Sequence, residues 1–423
     1  MYCAVLSNYI YYIPDGTGFA GRDSLTYEIE CDGTVSRAKV YVNLNNTPEN
    51  VYTDVCHVPI PDIGFEIREV ARTDSVVAVL SPILCGDIDN DGEVEILVLN
   101  ATITGTNGPD MGVTEILIYV LRELPDGTQE LTQKYSIPLP VNSTNVYENN
   151  FAVADVDGDG YAAVFYATRG GSSPRQLYKY RFDPVTRGYY SEWNVSYSDN
   201  TTYAYSSPLV ADFMGDGHVQ VQVYDKLFDA RDGTMLVNGI DGNLLPASGL
   251  SPYSFGRHGH AYASSAIARL STCVAGDIDG DGKPELVGGD CVYKINITDY
   301  SGTAGNSMSL YRRAASRADV GDGGTALADL DLDGQLDVVV TSPFYSTQYG
   351  SLFAYNPRTG DLLNTNPITD LAEGGGGRYG PSLPFVGDID DDGRPEIAFI
   401  SSLQPSTGSY PFGILKAYKY DIP

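Results

Sequence analysis

One phrase recurs six times along this chain: carboxylates at alternate positions, a glycine, and then an apolar, β-forming run. It first reads Asp87-Ile-Asp89-Asn-Asp91-Gly92-Glu93-Val-Glu95 and leads into Ile96-Leu-Val-Leu; it returns at Asp155, Asp212, Asp277, Asp329 and Asp388. The starts lie 68, 57, 65, 52 and 59 residues apart, which makes this a repeat architecture rather than one core with scattered sites. A chain of 423 residues exceeds one ordinary core, but a ring of repeats can run this length.

From about residue 52 every unit has one grammar. An apolar run ends in a small residue just before the first Asp: Gly86, Ala154, Ala211, Gly276, Ala328 and Gly387. The acidic phrase follows, then a second apolar run such as Asp337-Val-Val-Val or Glu396-Ile-Ala-Phe-Ile. Further strands come next, between turn signals: Ile116 to Arg122 closed by Pro125-Asp-Gly127, Leu177 to Pro184, and Leu352 to Gly360. No helical period of useful length occurs. Four short strands per unit of about 60 residues is the blade of a β-propeller. The stretch after Asp388 and the stretch from Tyr52 to Gly86 together make about one inter-motif interval. The ring therefore closes on six blades, with a strand near Ile63–Arg72 completing the last; seven would need another unit's worth of chain. The expected fold is an all-β, six-bladed propeller over residues 49–423.

Each phrase has the chemistry of a calcium loop. Oxygen ligands at positions one, three and five converge, and Gly at position six permits the sharp turn. An EF-hand would carry Glu at position twelve and flanking helices. Here that position holds Val98, Tyr166, Val223, Gly288, Val340 and Phe399, so the EF-hand reading fails. The further acid comes at position nine, directly before a β-run (Glu95, Glu285, Asp337, Glu396), which puts the ion in the bend of a β-hairpin with the position-seven carbonyl as an extra ligand.

The pattern Asp-x-Asp-x-Asp-Gly-x-x-[Asp/Glu]-[Ile/Leu/Val], complete in four of the six loops, resembles the FG-GAP/VCBS repeat family, to which the integrin alpha-subunit propeller belongs. The resemblance spans about residues 76–423. It implies calcium in each intact loop, on one face of the propeller, chiefly holding the hairpins rigid. The implied ligand sets are Asp87, Asp89, Asp91 and Glu95 with Glu93; Asp277, Asp279, Asp281 and Glu285 with Lys283; Asp329, Asp331, Asp333 and Asp337 with Gln335; and Asp388, Asp390, Asp392 and Glu396 with Arg394. The loop of Asp155, Asp157 and Asp159, with Tyr161 at position seven, has Ala163 at position nine and should bind more weakly. The loop at Asp212 has Met214 at position three and Gln220 at position nine, leaving only Asp212 and Asp216 as anions; it is expected vacant. Four to five calcium ions follow.

Residues 1–48 form a separate β module. Tyr12, Pro14, Gly18, Phe19, Gly21, Asp23 and Tyr27 resemble the C-terminal half of the cadherin-like, Ig-like tandem repeats of secreted adhesins. The early strands of such a domain are missing, which reads as a fragment of something longer. Met1 to Ile10 lacks the basic start of a signal peptide.

The net charge of −29 is largely accounted for by the repeats, whose positions one, three, five and nine hold 21 of the 55 acidic residues; six bound calcium ions would bring it to −17. No basic patch is visible, which argues against nucleic acid and anionic membranes as partners. No stretch approaches 18 apolar residues, so nothing inserts into a membrane as a helix. Of the six cysteines, Cys273 and Cys291 flank one loop on what should be adjacent strands, where a disulfide or two buried thiols would fit; Cys3 with Cys31 is a second candidate pair. Sequons at Asn45, Asn100, Asn142, Asn194, Asn200 and Asn296 point toward secretion.

Little of the chain reads as catalytic. His258-Gly-His260 is the one histidine cluster, with only His57 and His218 elsewhere. Glu373 to Gly380 is Gly-rich without a following helix to bind an anion, and no Gly-x-Ser-x-Gly elbow occurs. Tyr189, Tyr190, Tyr203, Tyr205 and Tyr262 could stack on sugars, although strand-surface tyrosine is the plainer account. The sequence thus points to an extracellular or cell-surface propeller, monomeric as a fragment, that binds a protein or glycan ligand in adhesion. The alternatives are a calcium-dependent carbohydrate-active enzyme such as a polysaccharide lyase, and a structural spacer of a larger surface protein.

Overall fold

Apolar runs on both sides of each acidic phrase pair with each other, and the phrase becomes the loop of a β-hairpin. The register is the same six times. The small residue before the first Asp sits opposite position nine: Gly86 opposite Glu95, Ala154 opposite Ala163, Ala211 opposite Gln220, Gly276 opposite Glu285, Ala328 opposite Asp337, and Gly387 opposite Glu396.

The computed structural model describes residues 2–6, 9–13, 21–31, 34–44, 69–73, 75, 77, 83–100, 102–103, 111–140, 151–168, 175–197, 208–223, 225–239, 273–315, 324–342, 351–364, 368–369, 383–389, 393–403 and 412–419. Two units divide the chain, Met1–Arg68 and Glu69–Pro423. In the first, β1 (Tyr2–Leu6) pairs antiparallel with β2 (Tyr9–Ile13), and β3 (Gly21–Cys31) pairs antiparallel with β4 (Thr34–Leu44).

The second unit is a six-bladed β-propeller, all-β among the described residues as the sequence predicted. Blade 1 comprises β5 (Leu84–Gly86), β6 (Glu95–Leu99), β9 (Glu115–Glu123) and β10 (Gln129–Pro138), with a small hairpin of β7 (Thr102–Ile103) and β8 (Met111–Gly112) inserted. Blade 2 runs β11 (Phe151–Ala154), β12 (Ala163–Ala167), β13 (Arg175–Asp183) and β14 (Gly188–Tyr197). Blade 3 runs β15 (Leu209–Ala211), β16 (Gln220–Val223), β17 (Lys226–Asp229) and β18 (Met235–Asn238). Blade 4 is β19 (Cys273–Gly276), β20 (Glu285–Gly288), β21 (Cys291–Asn296) and β22 (Ser307–Arg313). Blade 5 is β23 (Gly324–Ala328), β24 (Asp337–Ser342), β25 (Ser351–Tyr355) and β26 (Ile368–Thr369). Blade 6 contains β27 (Phe385–Gly387), β28 (Glu396–Leu403) and β29 (Phe412–Lys419).

The first strands of blades 2 to 6 lie beside one another in order. The core sits between blades. Leu97, Ile116 and Ile118 of blade 1 pack on Phe151, Val164 and Tyr166 of blade 2, and equivalent layers join blades 2 and 3, 3 and 4, 4 and 5, and 5 and 6. Position two of each acidic loop feeds these layers: Ile88, Val156, Phe213, Ile278 and Leu330 are all buried against the following blade, whereas Ile389 of blade 6 is exposed. Full burial of such side chains stabilises by about 1.5–3 kcal/mol each, so loops 1 to 5 are each anchored to the following blade. The lone tryptophan, Trp193, packs in the layer between blades 2 and 3, tilted on Phe165, and donates its indole N–H to the Arg231 carbonyl at 3.0 Å. Gly233, at φ +76°, lies where a Cβ would come within 2.9 Å of that indole; only glycine fits.

Two expectations change. Cys273 and Cys291 lie two strands apart, since Gly288 of β20 pairs with both, and they are not bonded to one another. Two inter-strand spacings come to about 10 Å, beyond the reach of a disulfide. The strand near Ile63–Arg72 lies largely outside the described residues, and those of it that are described, from Glu69 on, are not in a strand. Cys3 and Cys31 have described backbone only, and His57, His258, His260, Tyr203, Tyr205, Tyr262 and the Gly-rich segment at 373–380 lie outside the described residues.

Candidate metal centres

The acidic loops are held first by their own backbone. Position one accepts backbone N–H groups from the far side of the turn in every loop: Asp87 from Asp91 and Gly92, Asp155 from Gly158 and Gly160, Asp212 from Asp216 and Gly217, Asp277 from Asp281 and Gly282, Asp329 from Asp333 and Gly334, and Asp388 from Gly393. Position five spends one oxygen on the N–H of position seven, in Asp91, Asp159, Asp216, Asp281 and Asp333, at 2.8–3.0 Å. Position nine reaches back to the position-two N–H: Glu95 to Ile88 and Glu285 to Ile278 at 2.9 Å, Asp337 to Leu330 at 3.1 Å, and Glu396 to Ile389 at 2.7 Å. Leaving such a buried N–H unsatisfied would cost about 1–3 kcal/mol.

Position six is glycine with φ between +83° and +86° in all six loops, a conformation that a Cβ disfavours. Position four is left-handed as well, in Asn90, Gly158, Gly215, Gly280 and Leu332. Leu332, at φ +60°, is the one aliphatic residue among them.

This division of labour explains the loop at Asp212. It keeps the residues with backbone duties: Asp212, Asp216, and at position nine Gln220, whose Oε1 accepts the Phe213 N–H at 2.9 Å as a carboxylate would. What it lacks is the anion at position three, where Met214 sits in the apolar layer between blades 3 and 4. Tyr300 donates its hydroxyl to Asp216 at 2.8 Å. The donor set there does not fit a divalent ion.

Elsewhere the residues converge in three places. Carboxylate oxygens of Asp87, Asp89 and Glu95, of Asp277, Asp279 and Glu285, and of Asp329, Asp331 and Asp333 each lie within 4.8 Å of one another. All-oxygen, multi-carboxylate sets of this kind suit calcium. Asp155, Asp157 and Asp159 form no such group, and Asp390 and Asp392 lie outside the described residues. Of the position-seven residues, Glu93 also pairs its side chain with Arg122 at 2.8 Å.

What the sequence did not reveal is the set of basic side chains that enter the loops. In loop 1, Lys134 Nζ lies 2.7 Å from Asp91, 2.7 Å from Glu95 and 3.0 Å from Asp89, and Arg187 of the next blade stands 3.2 Å from Asp89. Lys134, by hydrogen bonding, and the Glu93 N–H hold the Asp91 carboxyl down to about 2. In loop 2, buried Lys179 bridges Asp157 at 3.2 Å and Glu192 at 2.9 Å, and Arg181 meets Asp159 at 2.6 Å. In loop 4, Lys294 hydrogen-bonds Asp279, lies 3.6 Å from Asp281 and Glu285, and holds the Asp279 carboxyl below the usual range. In loop 6, Lys419 sits 3.0 Å from Glu396. Loop 5 differs: among the described residues no basic group pairs with Asp329, Asp331, Asp333 or Asp337. Burial, reinforced by the three neighbouring carboxylates, pushes the Asp337 carboxyl up to about 7.

The fourth strands present one residue each toward the loops by a common device, and in blade 1 that residue is the cation Lys134. In blades 1 to 4 the fourth strand carries a β-bulge opposite the third-strand residues that pair with positions ten and eleven. The extra residue is Lys134, Glu192, Leu236 and Tyr311 in turn. A bulge re-aims its side chain, and each suits its loop. Lys134 meets four carboxylates, Glu192 meets Lys179 and Arg181, Leu236 shares an apolar cluster with Met214, and Tyr311 carries Lys294 over its ring at 5.0 Å.

Against known families, the FG-GAP-like repeat matches residues 87–166 and 329–399, that is, loops 1 and 2 and loops 5 and 6 with the strands between. Those two stretches are similar to the FG-GAP-like repeat. Comparison with curated proteins gives no match. Among solved structures the chain is similar to the V. cholerae biofilm matrix protein Bap1, with 16% identity and a TM-score of 0.44, over 74% of this chain and 42% of that one. The chain therefore spans less than half the length of that protein. The FG-GAP-like loops share their end of the blades with a second feature, an open hollow of about 490 Å³ at blade 2 lined by Asp159, Tyr161, Arg181, Phe182 and Tyr190. Tyr161 stacks on Phe182 there, and Tyr190 is exposed.

Proposed function

We propose that this chain is part of an extracellular or cell-surface protein whose calcium-braced propeller binds a glycan or protein ligand in adhesion. The carrying observation is the adjacency of an acidic FG-GAP-like loop and the aromatic hollow of Tyr161, Phe182 and Tyr190, flanked by Arg181 and Asp159. Stacked rings beside charged hydrogen-bonding groups are the chemistry of sugar recognition, and the hairpin loops hold that surface in place. Where calcium binds, its ligands are drawn from the carboxylates of positions one, three, five and nine, and the ion balances their charge. The set of four to five ions that the repeat pattern implies is the upper bound; loop 5, whose carboxylates have no described basic partner, fits the ion best.

Residues 1–48 belong to this reading as an Ig-like, cadherin-like module that precedes the propeller at 49–423 in the chain. Sequon positions are consistent with it in part: Asn194 and Asn296 are exposed, while Asn100 is buried and spends its amide on Thr114 and Glu115. An array of glycans and surface proteins, probed with the full chain in calcium and in chelator, tests the proposal. Calcium-dependent retention by one ligand class, lost in Tyr190→Ala, is expected. No retention, together with depolymerisation of a polysaccharide, would replace this reading with the enzyme alternative.

A further inference from the structure

Within that reading, we infer that loops 1, 2 and 4 carry their own cation, from Lys134, from Lys179 with Arg181, and from Lys294, where the repeat pattern alone would put calcium. Lys134 is the clearest case. Its ammonium lies within 3.0 Å of carboxylates from positions three, five and nine together, three of the four acidic groups that would ligate an ion, and its side chain is only 9% exposed. It reaches them because it is the bulged residue of β10. Lys294 approaches its loop by a different route. It lies on the third strand, one residue beyond the pairing of Leu286 with Tyr293, and so stands opposite position nine, Glu285. The same register puts Arg181 opposite Ala163, so loop 2 has exchanged a carboxylate for an apolar residue and faces it with a guanidinium.

An ammonium and a divalent ion cannot share one cage, because like charges a few ångströms apart repel strongly in a partly buried site. The built-in cation leaves these loops self-neutralised. Loop 5 is the counter-case. Opposite Asp337 the register brings Asn356, next to the pairing of Val338 with Tyr355, and the chain facing Tyr355 and Ala354 continues through Leu362, Leu363 and Asn364. Four carboxylates gather there with no described base.

The consequence is a calcium count set by the lysines and not by the carboxylates. Protein stripped with chelator, re-equilibrated in calcium and gel-filtered should be assayed for bound metal by elemental analysis. Wild type should hold no more than two ions, Asp331→Asn should hold one fewer than wild type, and Lys134→Met and Lys294→Met should each hold one more. Lys134→Gln, which keeps the stem and a hydrogen-bonding head, guards against misfolding of the methionine variant and should gain the same ion. Wild type holding three or more ions, or lysine variants holding no more than wild type, overturns the inference while leaving the calcium reading intact. Absence of calcium from wild type and from every folded lysine variant would overturn both.

Discussion

Loops 1 and 5 present the same four carboxylates on the same hairpin frame, yet only one of them is charge-balanced by the chain. Asp89 and Glu95 in loop 1 are buried and share Lys134; Asp337 in loop 5 is as buried, and its carboxyl is driven up to about 7. The frame is identical because it is made of backbone hydrogen bonds to positions one, five and nine, none of which requires an ion. The difference lies in one residue from a strand that the repeat phrase does not include. A loop's shape and its appetite for a cation are thus separable properties.

The comparison can be broken most directly at Lys134. With chelator present, Lys134→Met leaves buried carboxylates uncompensated, and denaturant melts should show a loss of about 3–5 kcal/mol, recovered when calcium is restored. A loss that calcium does not reverse would mean that loop 1 is not an ion cage in waiting. A smaller effect tests the shared frame. Gly92→Val and Gly334→Val each force a β-branched residue into the left-handed region at φ +86° and +85°, and both should lose about 1–3 kcal/mol by the same melts. Markedly unequal losses would show that the two frames are not equivalent. The smallest effect is local. Chelation of wild-type protein should raise amide exchange across residues 324–342 by about tenfold, equivalent to about 1.4 kcal/mol of local stability, and leave residues 84–99 unchanged. Exchange rising equally in both segments would remove the distinction between the loops.

The sequence carried the fold almost completely, since strand ends fall where small residues and position-nine residues stand, from Gly86 and Glu95 to Gly387 and Glu396. Those marks are local, and local pairing decides a hairpin. It also marked the two loops short of anions, because Met214, Gln220 and Ala163 occupy positions where the other loops carry carboxylates. It did not show the lysines. Lys134 lies 39 residues beyond Glu95 in a different strand, and its aim depends on a bulge that changes the facing of one residue. The signal that could have found it is a basic residue on the fourth strand level with positions ten and eleven across the third strand, and that register becomes readable only after the pairing is known. Of the two alternatives for Cys273 and Cys291 the disulfide failed, for the related reason that sequence proximity to a common loop does not say how many strands intervene.

Trp193 gives the molecule a built-in optical probe with a narrow field of view. As the only indole, seated between blades 2 and 3 and tethered to Arg231, its emission senses hydration of that one seam. Loop 5 belongs to the fifth blade. A calcium-dependent change in tryptophan emission would therefore mean that the perturbation had been relayed through intervening blades, and a silent indole beside a shifted melting curve would mean that the ring yields one segment at a time.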